Sequence, residues 1–209
     1  RHTRYWRDWS SDVCSSDLVQ ISKTGQLIDT MTLAKGSSPQ GTEFYDPEGL
    51  AFVGNGVFVF TEERDRQVVR FTYQAGGTLQ RSATQTVKLG TTIGNIGLEG
   101  VTFDPSAPNS YILAKEISPQ GIFQTTIDFS QIPLGTISPG GGTISSNGSS
   151  TTVNSTDLFL PSKAGLGDFA DLYALSNVPS LNGTVYSQDR SEEHTSELQS
   201  RQYLVCRLL

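Results

Sequence analysis

An all-β fold is what this sequence predicts, and three observations carry it. Apolar and polar residues alternate with a period of two in short runs, clearest in Val57-Phe58-Val59-Phe60-Thr61 and in Gln67 to Tyr73 (QVVRFTY). Gly, Asn and Pro punctuate those runs, most sharply at Gly54-Asn55-Gly56, which signals a tight turn between two strands. No stretch spaces its apolar residues at helical intervals.

The strands recur as a unit. Asp46-Pro47-Glu48-Gly49-Leu50-Ala51-Phe52 is echoed by Gly97-Leu98-Glu99-Gly100-Val101-Thr102-Phe103, and more faintly by Asp168-Phe169-Ala170-Asp171-Leu172-Tyr173-Ala174. After each comes a turn and a second strand closing on an acid: FVFTEE at Glu63, YILAKE at Glu116, TVYSQD at Asp189. The first two units begin about 50 residues apart, the length of a four-stranded propeller blade. In the first of them Gln67 to Tyr73 reads as the third strand, Ala75-Gly76-Gly77 as a turn, and Leu79 to Leu89 as the fourth strand.

Val19 to Ala34 then supplies the two outer strands of a preceding blade, and Asp168 to Asp189 the two inner strands of a following one. The predicted architecture is a partial β-propeller of about two whole four-stranded blades plus two half blades, where about four to eight blades close a ring. Ser138 to Ser150 (SPGGGTISSNGSS) fits an enlarged turn between the outer strands of the second blade, with an interdomain linker as the alternative.

The two ends read differently. Residues 190–200 (RSEEHTSELQS) correspond to the in-frame translation of a common short-read sequencing adapter, and residues 8–18 (DWSSDVCSSDL) to its reverse complement. Residues 1–18 and 190–209 are therefore expected to be adapter-derived and to pack on nothing, which leaves 19–189 as the propeller domain. Cys14, Cys206, His2, His194, Trp6 and Trp9 all fall in those ends. Disulfides, a Cys/His zinc site, a Cys nucleophile and a complete Ser-His-Asp triad are thereby excluded from 19–189. A metal there must take oxygen ligands.

The net charge of −6, with no basic stripe, argues against nucleic acid as a partner. No run within 19–189 approaches the roughly 18 apolar residues of a membrane span, which leaves room for an anchor lost from the N-terminal side.

Acids that begin or end the innermost strands are the candidates for chemistry. Glu48-Gly49 and Glu99-Gly100 begin such strands, where glycine lets neighbouring strands approach closely and the glutamate points toward the axis. Like charges gathered there raise one another's pKa unless a cation sits between them. Two readings stand: a hard divalent ion held by carboxylates, or glutamates that accept backbone hydrogen bonds and pin the repeat. Glu62-Glu63-Arg64-Asp65-Arg66 is the densest charge cluster. Its plain reading is a solvated hairpin tip whose ion pairs contribute little. The sharper one has Arg64 or Arg66 holding an anionic ligand bidentately.

The series DPEGLAF, VFVFTEERDRQVVRF, NIGLEGVTFDP and YILAKE resembles the SdiA-regulated, or YjiK-like, family of bacterial proteins across most of Gly41 to Phe129. The resemblance implies an NHL-like β-propeller of the cell envelope, periplasmic or membrane-anchored, that binds a small molecule or an envelope protein without catalysis. It maps Glu48, Glu63, Glu99 and Glu116 onto the family's recurring acids, with calcium as the candidate structural ion and no catalytic residue assigned. Ala170 departs from the repeat where glutamate is expected. Esterase-like phytase domains share the LEG motif, so a calcium-dependent phosphoester hydrolase is the alternative.

Overall fold

The computed structural model describes residues 17–22, 24–90, 97–105, 107–115, 121–139, 142–143, 156–157, 169, 171–174 and 185–188. They form an all-β partial propeller of sheets stacked face to face. The described residues open with an antiparallel pair, β1 (Asp17–Ile21) and β2 (Leu27–Leu33). A meander follows of β3 (Pro47–Gly54), β4 (Val57–Glu62) and β5 (Gln67–Thr72). The β3–β4 hairpin turns where glycine and asparagine signalled it: Asn55 and Gly56 have φ of 51° and 75°, the left-handed pair that matches the twist of the strands.

The expected fourth strand is divided. Instead of one strand over Leu79 to Leu89, the chain forms β6 (Thr78–Leu79), a 3-10 turn at Arg81–Ala83, and β7 (Gln85–Lys88). Only β7 completes the sheet beside β5, whereas β6 pairs in parallel with β2 of the preceding sheet. Two interactions cause the division. Leu79 is buried with Leu18, Met31 and Leu33 against the preceding sheet, and Arg81 is drawn into an ion pair described below.

The second unit repeats this plan. β8 (Leu98–Asp104), β9 (Ser110–Lys115) and β10 (Gly121–Ile127) form the meander. β11 (Thr136–Pro139) then pairs in parallel with β7, as β6 does with β2. Both β12 (Gly142–Thr143) and β13 (Thr156–Asp157) pair with β10 on its outer side. Each unit thus sends a short strand back to the outermost strand of the unit before it. The low-complexity segment supplies the end of β11 and all of β12, and the rest of it lies outside the described residues. A final antiparallel pair, β14 (Asp171–Ala174) and β15 (Val185–Gln188), supplies the inner strands of a third unit.

Period-two alternation dictates where the cores lie. On β4, Val59 faces the second unit and Phe60 the preceding sheet; Val68 and Val69 divide in the same way on β5. On β9, Tyr111 and Leu113 pack toward the first unit while Ile112 and Ala114 pack toward Phe169, Leu172 and Ala174. All three cores are therefore interfaces between sheets. Each fully buried Val, Leu or Phe in them contributes about 1.5–3 kcal/mol.

Two glycines set the spacing of the innermost strands. A Cβ on Gly49 would lie 2.6 Å from Glu99 O, Gly100 Cα and Val101 N, and one on Gly100 would lie 2.9 Å from Asp171 Cα. The strands β3, β8 and β14 consequently line up as the repeat aligned them, 49 beside 100 beside 171.

Two of the residues expected to pack on nothing, Asp17 and Leu18, join the first sheet. β1 starts at Asp17, and Leu18 is 2 % exposed in the first core, because an apolar side chain at that point continues the strand's inward alternation. Among the described residues no helix is long and apolar enough to cross a membrane.

Candidate metal centre

Asp46, Glu48 and Glu63 place one carboxylate oxygen each within 4.8 Å of one another. Three local features bring them together. Asp46 adopts a left-handed φ of 54° before Pro47, a conformation that Asp tolerates better than most residues. Glu48 follows at the start of β3. Glu63 comes from the turn after β4, and its backbone N–H donates to Asp46 O at 2.9 Å, closing the hairpin's open end.

The next unit completes the arrangement. Gly97, which stands in the repeat where Asp46 does, donates its N–H to Glu63 Oε1 at 3.1 Å. Glu63 is only 1 % exposed. Loss of solvent, opposed by the Gly97 hydrogen bond and reinforced by the charge of Asp46, pushes its pKa up to about 7. At neutral pH the cluster is therefore poised between holding a proton and holding a cation.

Asp46 is also held from outside the cluster. Arg64 Nε donates to its Oδ2, and Gln40 Nε2 to its Oδ1 at 3.2 Å. An all-oxygen set of carboxylates suits a hard divalent ion such as calcium, and it suits neither zinc nor copper, which favour nitrogen and sulfur. The residues present fit calcium, with Arg64 as a competing cation on one ligand.

Of the four acids singled out in the sequence, Glu48 and Glu63 thus meet. Glu99 holds the equivalent position at the start of β8, buried at 2 % exposure, and its backbone carbonyl accepts from Thr61 Oγ1 at 3.1 Å. Glu116 lies outside the described residues, as does Ala170. Asp46, which was not among those four, joins the cluster. The clue was its place two residues before Glu48, where a tight turn folds it back over the strand.

The Glu62 to Arg66 segment is not a solvated tip. Glu62, Glu63 and Arg66 are 0 %, 1 % and 0 % exposed, because the turn tucks under the start of the second unit, where Leu98 N donates to Glu63 O, and is closed from its own unit by Leu89 N, which donates to Arg66 O. Glu62 is gripped bidentately by Arg81, at 2.9 Å from Nη1 to Oε2 and 2.6 Å from Nη2 to Oε1. It also accepts from Tyr45 N at 2.7 Å. Burial pushes the Glu62 pKa up against the pull of this hydrogen-bonded guanidinium. Arg81 lies 4.3 Å over the Phe44 ring, so one side chain ties the outer turn to the segment leading into β3.

Fold and site together define a repeat-built β-propeller fragment with a carboxylate cluster at the seam between two units. The sequence matches the SdiA-regulated family over residues 13–160, and the chain belongs to that family. No solved structure matches it.

Proposed function

We propose that this protein is a non-enzymatic propeller of the bacterial cell envelope that binds a small molecule or an envelope protein, with a structural calcium ion held by Asp46, Glu48 and Glu63. The observation that carries the calcium is the convergence of those three carboxylates within 4.8 Å. Mutual repulsion among them is relieved either by a proton on Glu63 or by a divalent ion, and an oxygen-only site selects calcium over softer metals. The envelope location and the absence of catalysis rest on the family resemblance.

Calorimetry of the full chain with calcium and with chelator tests the reading. Calcium raises the melting temperature by mass action on the folded state. Glu63→Gln and Glu48→Gln lose most of that gain, while Asp128→Asn, at the cap of the 3-10 turn at Phe129–Gln131 and outside the cluster, keeps it. Superimposable wild-type curves with calcium and with chelator would leave these acids as pins of the repeat. Calcium-dependent release of phosphate from a phosphomonoester would favour the hydrolase alternative.

A further inference from the structure

Arg66 is the one large charged side chain in the described residues with its whole head group buried and unanswered. It is 0 % exposed, and its Nε, Nη1 and Nη2 meet no hydrogen-bond acceptor. Leaving a guanidinium in this state costs several kcal/mol, which proteins ordinarily avoid by pairing the charge. Nearby stands a second buried cation. Lys115 is 0 % exposed at the end of β9, opposite Leu98, whose own N–H donates to Glu63 O in the turn that carries Arg66. The two charges are close enough for Arg66 to help depress the Lys115 pKa, after desolvation, to about 8.

We infer that Arg66 and Lys115 form a binding site for an oxyanion, a phosphate or carboxylate group, at the seam between the first and second units. A guanidinium presents parallel N–H donors in a fixed fork that matches two oxygens of such a group, and the ammonium adds a compact point charge. Arg66 holds a left-handed φ of 50°, which is uncommon for a long side chain. The site stands apart from the calcium reading, since it uses none of the three clustered carboxylates.

The test is calorimetric titration of the full-length chain with sodium phosphate, sodium sulfate and sodium acetate in chelator-containing buffer, against sodium chloride at equal ionic strength. Chelation keeps the outcome independent of calcium. Saturable binding of phosphate or acetate beyond the chloride baseline is expected, and the stronger of the two identifies the head group. Arg66→Lys, which keeps the charge and loses the fork, weakens binding at least tenfold. Arg66→Met abolishes it and melts at or above wild type in chloride, because an unpaired buried charge is gone; exposed Lys35→Gln binds as wild type. Wild-type protein that binds none of the three anions above chloride overturns the inference whether or not any variant folds. Equal binding by wild type and Arg66→Met overturns it as well.

Discussion

Replacing Gly49 by alanine tests whether the propeller is assembled by close backbone contact between units. The added Cβ would sit 2.6 Å from three backbone atoms of β8, namely Glu99 O, Gly100 Cα and Val101 N. Ordinary contact needs roughly 3.4 Å or more, so β3 and β8 must part by about 0.8 Å, and a gap of that size forfeits a quarter to a half of the dispersion energy across it. Relief by side-chain rotation is closed off, since every obstructing atom is main chain and β8 is fixed in its ladder to β9. Overpacking typically costs about 1–3 kcal/mol, and backbone on both sides puts Gly49→Ala at the upper end. For a chain of this size about 3 kcal/mol corresponds to a fall of about 6–12 °C in melting temperature. Gly76→Ala is the control: its φ is +66° and nothing lies within 4 Å, so it carries only the left-handed penalty of about 1–2 kcal/mol. Scanning calorimetry of both variants in one buffer measures the difference. A Gly49→Ala protein that melts with wild type, or above Gly76→Ala, would refute the close-contact account of the seam.

Three further outcomes follow from the charged groups. Arg81→Met strands the fully buried Glu62 carboxylate and should cost about 3 kcal/mol in urea unfolding, the low end for a broken buried pair because the Arg81 side chain is 20 % exposed; the double variant with Glu62→Gln should recover part of it. Glu63, with a folded pKa of about 7 against 4.5, binds its proton more tightly when folded. Its contribution to stability is therefore greatest below pH 4.5 and declines as pH rises to 7, and Glu63→Gln should flatten that part of a chelator-treated stability profile. Lys115 runs oppositely, its folded pKa lowered from 10.5 to about 8. The unfolded chain binds more protons between those values, so stability should rise from pH 8 to 10.5 in the absence of added anion, and Lys115→Met should remove the rise.

Much of the fold was legible because period two and turn chemistry are local. Val57–Thr61, the YILAK part of YILAKE and the Asn55-Gly56 turn formed as read, and the echo of Glu48-Gly49 in Glu99-Gly100 located the innermost strands. The division of Leu79 to Leu89 was not legible, since it depends on Leu79 finding a core in another sheet and on Arg81 finding Glu62, partners 19 residues or more away in sequence. The charge cluster misled for a related reason. A run such as EERDR looks like a solvated tip when judged by composition, and its burial arises only when the following unit covers it. Asp46 entered the acidic cluster through a left-handed turn that sequence marks weakly.

The seam unites these observations. The first unit supplies all three clustered acids, Asp46, Glu48 and Glu63, while the hydrogen bond that fixes Glu63 comes from Gly97 of the second. Arg66 and Lys115 likewise belong to successive units. The parallel strands β6 and β11 reach back across the same kind of boundary at the outer edge, and Gly49 and Gly100 draw the inner edges together. A ligand that binds at the seam must therefore also report on how tightly two units are docked, because parting them removes the Gly97 donor and separates Arg66 from Lys115 in one motion. Binding and inter-unit stability are linked by mass action, so a variant that loosens the glycine contact far from the charges should weaken ion binding as well as lower the melting temperature.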